Sequence, residues 1–132
     1  MKYKDGFKVV YKLDYWKIKE TKYISFNRRP AIEVEYIPNI PTTRKSKPMN
    51  IYTDEHENEY ILGPFAVFDN YEHARYFARD SHCLRVFKCK YIPSKEKTLY
   101  FIKKETDKKY EMDFGFPRGT VFADEVIITE EI

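Results

Sequence analysis

The chain has 132 residues, 24 Lys/Arg against 21 Asp/Glu for a formal net charge of +3, and it is 42% hydrophobic and 17% aromatic. That length fits one domain, residues 1–132, which can bury a core without metals or disulfides, and near-balanced charge with many aromatics excludes a disordered chain. Only four glycines argue against a Gly-rich phosphate loop, and no run approaches the roughly 20 apolar residues of a membrane helix.

The first element is a strand, Phe7 to Leu13, rich in β-branched and aromatic residues. A linker carrying Trp16 follows, then a short strand Tyr23-Ile24-Ser25-Phe26 closed by Asn27-Arg28-Arg29-Pro30. Ile32 to Tyr36 alternates apolar and charged residues, the mark of a strand with one wet face. Residues 37–58 read as a long loop, with Pro38, Pro41 and Pro48, the basic run Arg44-Lys45-Ser46-Lys47 and the acidic run Asp54-Glu55-His56-Glu57.

Residues 63–90 form the best-defined unit. Gly63-Pro64 is a turn and Phe65 to Phe68 a strand. Asp69 with Glu72 three residues on reads as a capping box. Tyr71, Ala74, Phe77 and Ala78 share one face of the helix that follows. Leu84 to Tyr91 is the next strand, and the two cysteines, Cys83 and Cys89, flank its apolar run Leu84 to Lys88. Six residues of strand set their Cα atoms roughly 20 Å apart, so both are expected as free thiols. Lys97 to Lys103 is a strand, 104–113 a hairpin loop or short helix, 115–119 a turn, and Thr120 to Ile128 a last strand with a bulge near Asp124. Tyr-Ile-Pro occurs at 36–38 and 91–93, each time as a strand exit. The expected fold is α+β: a mixed, mostly antiparallel sheet of six or seven strands with one principal helix.

Metal binding finds little support. His73, His82, Cys83 and Cys89 fall close together but lack the paired spacing of a finger-type site. Neighbouring His82 and Cys83 on a strand would point to opposite faces, which argues against a Cys–His nucleophile. Charge is unevenly spread. Residues 1–50 hold 12 Lys/Arg against 5 Asp/Glu, and residues 51–132 hold 12 against 16. The basic half places Arg28, Arg29, Arg44, Lys45 and Lys47 in loops beside Tyr23, Phe26 and Tyr36. Cations neutralise phosphates and aromatic faces stack unpaired bases, so these five residues are the candidate nucleic-acid contacts. An ordinary solvated surface is the competing reading.

The stretch from Gly63 through Phe65-Ala66-Val67-Phe68 to His73, Ala74 and Ala78 resembles the strand-to-helix step of the ADP-ribosyltransferase fold. Together with Leu84 to Tyr91 and the closing Gly119-Thr-Val-Phe-Ala-Asp-Glu-Val126, it also resembles small uncharacterised phage proteins. The resemblance lies mainly in residues 60–130. In that family an Arg or His on the first strand holds the NAD ribose or phosphate. A Ser or Tyr orients the nicotinamide ribose, and a Glu on a later strand meets the positive charge of the transition state. The resemblance implies Ser25 and Glu125 as catalytic residues and Lys8 or Lys12 as NAD-binding cations. Lys there departs from the family pattern, being a point charge without the fork of Arg. The favoured expectation is a small phage-like accessory protein that binds a macromolecule, protein or nucleic acid, without catalysis or cofactor. The alternative is an NAD-dependent ADP-ribosyltransferase, active or degenerate. With no signal-peptide pattern at the N-terminus, the cytoplasm is the expected location, the host's if the protein is viral.

Overall fold

The computed structural model describes residues 2–15, 20–24, 34–44, 51–53, 56–112 and 116–132. The elements in chain order are β1 (Lys4–Tyr15), β2 (Glu20–Ile24), β3 (Glu35–Tyr36), β4 (Thr42–Thr43), β5 (Ile51–Thr53), β6 (Glu59–Leu62), β7 (Phe65–Phe68), α1 (Tyr71–Ala78), β8 (Leu84–Pro93), β9 (Leu99–Lys103), β10 (Lys108–Met112) and β11 (Thr120–Glu131). The architecture is α+β, with mostly antiparallel strands and one helix. The six or seven strands expected of a single sheet are instead distributed over a seven-stranded sheet and a second sheet of four, in the order β10-β9-β6-β5.

The larger sheet closes on itself. β1 pairs with β8 from Lys4 to Tyr11 and meets β7 on its other edge at Phe7. β11 pairs with β7 from Thr120 to Ala123 and with β8 from Ala123 to Glu131. These four strands make a small barrel-like ring, extended by β2 and β3 beyond β1 and by β4 beside β11. Every ladder among the described residues is antiparallel, which corrects the expectation of a mixed sheet. The strand–helix–strand unit β7–α1–β8 is present, but β1 lies between its two strands and runs opposite to both. The helix therefore crosses over β1, and no parallel pair forms.

This placement explains burial on both faces of β1. Val9 packs outward with Phe68, Ala74 and Val86 beneath α1, alongside Phe7, Tyr71, Phe77 and Ala78. Val10 points inward with Tyr36, Phe65, Val67, Phe87, Cys89, Tyr91, Val126 and Ile128. Gly6 is required where the ring is narrowest: an added Cβ would stand 2.8 Å from the Tyr91 ring and 2.9 Å from the Phe68 carbonyl oxygen. β11 keeps its apolar side inward through a bulge. Val121 and Ala123 face the core before it, Val126 and Ile128 after it, and the register shifts between Ala123 and Glu125. Opposing two residues to one is what a bulge does, and here it switches the parity of the strand. The bulge falls where the sequence placed it.

The cap of α1 is Asn70, one residue later than expected. Asp69, just past the end of β7, donates its N–H to the Gly119 carbonyl at 3.0 Å. Asn70 is extended and its side chain accepts the His73 N–H at 2.9 Å, satisfying one of the open donors of the first turn. Residues 104–107 form the turn of the β9–β10 hairpin, so the described part of the charged segment, 104–112, is a hairpin and not a helix. The long loop expected over 37–58 holds β4 and β5, each too short to show a period. Both Tyr-Ile-Pro tripeptides do end strands, β3 at Tyr36 and β8 at Pro93. Cys83 is exposed, Cys89 is buried, and both are free. No helix among the described residues is long and apolar enough to cross a membrane.

Phe77 is half-buried, with its ring 5.6 Å from that of Phe68. Phe77→Ala should cost about 2–3 kcal/mol, below the full range for a buried Phe because the ring keeps some solvent contact. Denaturant unfolding measures this. A loss under about 1 kcal/mol would mean that α1 is not held by this face.

Candidate functional site

β1 and β11 begin, and β8 ends, at one end of the ring. A cleft of about 280 Å³ opens there, lined by Lys4, Tyr91, Pro93, Ser94, Glu96, Lys97, Thr120, Val121 and Phe122. Barrel mouths are a usual place for ligand sites. Lys4 stands opposite Tyr91 in the β1–β8 ladder, which puts it at the rim. Tyr91 is buried and contributes to the lining. Lys97 follows the end of β8, in a loop anchored by the Ser94 N–H donating to the Phe122 carbonyl at 2.9 Å. Neither Lys4 nor Lys97 forms an ion pair with any described residue.

One wall of the cleft is continuous with a cluster that ties the two sheets together. Arg44, just after β4, donates through Nη1 to Glu96 Oε2 and, at 3.3 Å, to Asp124 Oδ1 at the bulge of β11. Its Nη2 donates to the Tyr100 hydroxyl at 2.7 Å, and that hydroxyl donates to Glu96 Oε1 at 2.5 Å. Tyr100 belongs to β9 of the smaller sheet, so one guanidinium joins both sheets and the loop between them. Lys109 Nζ lies 4.4 Å from the centre of the Tyr100 ring, adding a cation on its face. Partial burial works against the charge of Glu96, but the hydrogen bonds from Arg44 and Tyr100 outweigh it and hold the carboxyl below its usual range. Burial likewise opposes the charge on Arg44, and its bonds to Glu96 and Tyr100 again prevail. Arg44 shares its single charge between Glu96 and Asp124, and Lys4 and Lys97 supply the two further cations of the cleft lining.

Deeper in the ring, Lys8 shares the inward face of β1 with Gly6 and Val10 and is only 3% exposed. Its Nζ donates to the Ala66 carbonyl at 2.5 Å and lies 5.0 Å from the centre of the Tyr36 ring. Burial pushes its pKa down to about 8. Burial also pushes the Cys89 thiol up to about 12, in spite of the Lys8 charge nearby. That thiol is a core group, not a nucleophile poised at neutral pH.

Of the residues singled out from the sequence, Ser25, Arg28, Arg29, Lys45 and Lys47 lie outside the described residues. Arg44 is engaged in the ion cluster, with 17% of its side chain exposed. Lys12 is half-buried further along β1, opposite Tyr23 of β2. Glu125 accepts a hydrogen bond from the Tyr3 hydroxyl. The structure does not bring Lys8 and Glu125 together. Lys8 is opposite Phe87 and Glu125 opposite Ile92, an offset of roughly 17 Å along β8. Phe87 faces the interior and Ile92, of opposite parity, faces out, so the ammonium and the carboxylate lie on opposite faces of the wall. Among the described residues no three His, Cys, Asp or Glu side chains gather as a metal site.

Lys4, Ser94, Glu96, Lys97 and Tyr100 were not marked by sequence reasoning. They come from segments far apart in the chain, and Arg44 lies 52 residues from Glu96 and 80 from Asp124. Local pattern carries no signal for such a meeting. Comparison with protein-family models, with curated proteins and with solved structures yields no match.

The Lys8 charge leaves a measurable signature. Its folded pKa of about 8 lies below the ordinary 10.5, so between those values the unfolded chain binds more protons and stability from this group rises with pH. The penalty of burying the charge is fully present below pH 8 and fades above it. Lys8→Met should therefore lose stability relative to the wild type by roughly 2–3 kcal/mol between pH 7 and pH 10. Paired urea melts measure that difference, and a gap independent of pH would show that Lys8 titrates normally.

Proposed function

We propose that the protein is a small phage-like accessory protein that binds a nucleic acid and performs no chemistry on it. The observation that carries this reading is the mouth of the barrel, where two unpaired ammonium groups, Lys4 and Lys97, flank a cleft with Tyr91 and Phe122 in its lining. Cations with no ion-pair partner among the described residues can replace the counterions of a phosphate backbone. The basic excess of residues 1–50, including Arg28, Arg29, Lys45 and Lys47, extends the same attraction over a longer stretch of backbone.

The second expectation, NAD-dependent transfer, needs a carboxylate and a cation converging on one nucleotide. Preorganised charge of this kind is usually the largest catalytic contribution. Lys8 and Glu125 fall on opposite faces of the ring wall, and Glu125 is occupied by Tyr3, so this pairing lends the transferase reading no support.

Binding of labelled single- and double-stranded DNA and RNA should be detectable at low salt and fall steeply as salt rises. Lys4→Glu with Lys97→Glu should weaken it by at least about ten-fold and flatten the salt dependence by roughly two phosphate contacts. Absence of retention of any nucleic acid at low salt would remove the reading. Calorimetry with millimolar NAD should show no heat. NAD hydrolysis that vanishes in Glu125→Gln would instead install the transferase.

A further inference from the structure

Resting on that reading, we propose that the barrel mouth recognises the terminal phosphate monoester of a nucleic-acid strand, with the adjoining base packed on Phe122. A groove that tracks an internal backbone is open at both ends and presents its cations in a row. Here Lys4 and Lys97 line one cleft of about 280 Å³ together with the buried Tyr91, whose ring packs against Gly6. A space of that size matches a single terminal nucleotide better than a run of several.

Charge points the same way. An internal phosphodiester carries a single negative charge, whereas a terminal monoester carries about −1.5 to −2 at pH 7 and exposes three acceptor oxygens. Two ammonium groups without protein partners match a dianion. Ser94 adds a hydroxyl whose oxygen already accepts the Glu96 N–H at 3.1 Å, leaving its proton for a phosphate oxygen. The carboxylate in the lining, Glu96, is hydrogen-bonded by Arg44 and Tyr100, which offsets part of its charge. Phe122 packs edge-on against Phe116, their ring centres 5.2 Å apart, which fixes an aromatic surface beside the cleft for the terminal base.

The test uses the full chain and short single-stranded oligonucleotides with a 5′-phosphate, a 3′-phosphate or hydroxyls at both ends, followed by fluorescence anisotropy. One phosphorylated end should bind at least about ten-fold more tightly than the hydroxyl form, and the preference should shrink below pH 6 as the monoester takes up its second proton. Lys4→Met with Lys97→Met should abolish the preference, Lys4→Arg with Lys97→Arg should retain it, and thermal melts confirm that both variants fold. Equal binding of all three oligonucleotides, still sensitive to the Met pair, would overturn the end-recognition proposal while leaving nucleic-acid binding intact. If no oligonucleotide binds, the proposed function falls. Titration with a nucleoside monophosphate, read as amide shifts at Ser94, Lys97 and Thr120, then decides the mouth on its own: shifts uphold a monoester site and their absence overturns it.

Discussion

The fold depends on β1 serving two edges at once. Along β8 its ladder is long, but along β7 it meets only Phe68, and the two strands then diverge. Asp69 donates toward β11, so by strand alternation the carbonyls of Phe68 and Ala66 face β1. The Phe68 carbonyl sits against Gly6. The Ala66 carbonyl, beyond the last pairing, would be buried with no ladder partner, and a buried acceptor left unpaired costs roughly 1–3 kcal/mol. Lys8 reaches across and donates to it. The side chain thus completes an edge that backbone geometry cannot, at the expense of holding an ammonium in the core.

The same closure forces the polar cluster at the sheet junction. A ring made of four strands has little interior, so the second sheet has to dock from outside, through the loop that follows β8. The bulge at Asp124 bends β11 there and turns an acidic side chain toward Arg44. An apolar joint would need a continuous patch on both sheets. The second sheet keeps its aromatic cluster of Tyr60, Phe101 and Tyr110 on one face, and Tyr100, of opposite parity in β9, meets the guanidinium. A charge network satisfied on every side holds a defined geometry where nonspecific apolar contact would allow sliding.

What was legible in the sequence follows from this arrangement. The β7–α1–β8 unit was readable because α1 has a single buried stripe, Tyr71, Ala74, Phe77 and Ala78, at helical spacing. The bulge was readable because Ala123-Asp124-Glu125 interrupts an apolar alternation. The strand that separates β7 from β8 was not readable, since β1 is distant in sequence and pairing is nonlocal. Lys8 was misleading for a physical reason. The resemblance made it a candidate NAD-binding cation, but β1 has two dry faces, one under α1 and one inside the ring, and Lys8 is buried on the second. Of the candidate site, the sequence held Arg44 but read it as a loop cation for nucleic acid, because its partners Glu96, Tyr100 and Asp124 reach it only through the fold.

Core and mouth are also linked electrostatically. Lys4, Gly6 and Lys8 share one face of β1, so the backbone that carries the buried lysine lies about 13 Å below the rim, which serves as a rough scale for its charge. At an effective dielectric constant near 20 a unit charge at that distance contributes about 1 kcal/mol to an anion at the mouth, and about twice that for a dianion. Water screens a charge at the rim, but the ring walls shield Lys8 from counterions, so its share persists at salt concentrations that weaken Lys4 and Lys97. A neutral residue of similar length would relieve the core of its charge and remove that field together. Under the proposed reading, the stability penalty of burying Lys8 would at the same time favour an anion at the mouth, a trade between folding and binding at one side chain.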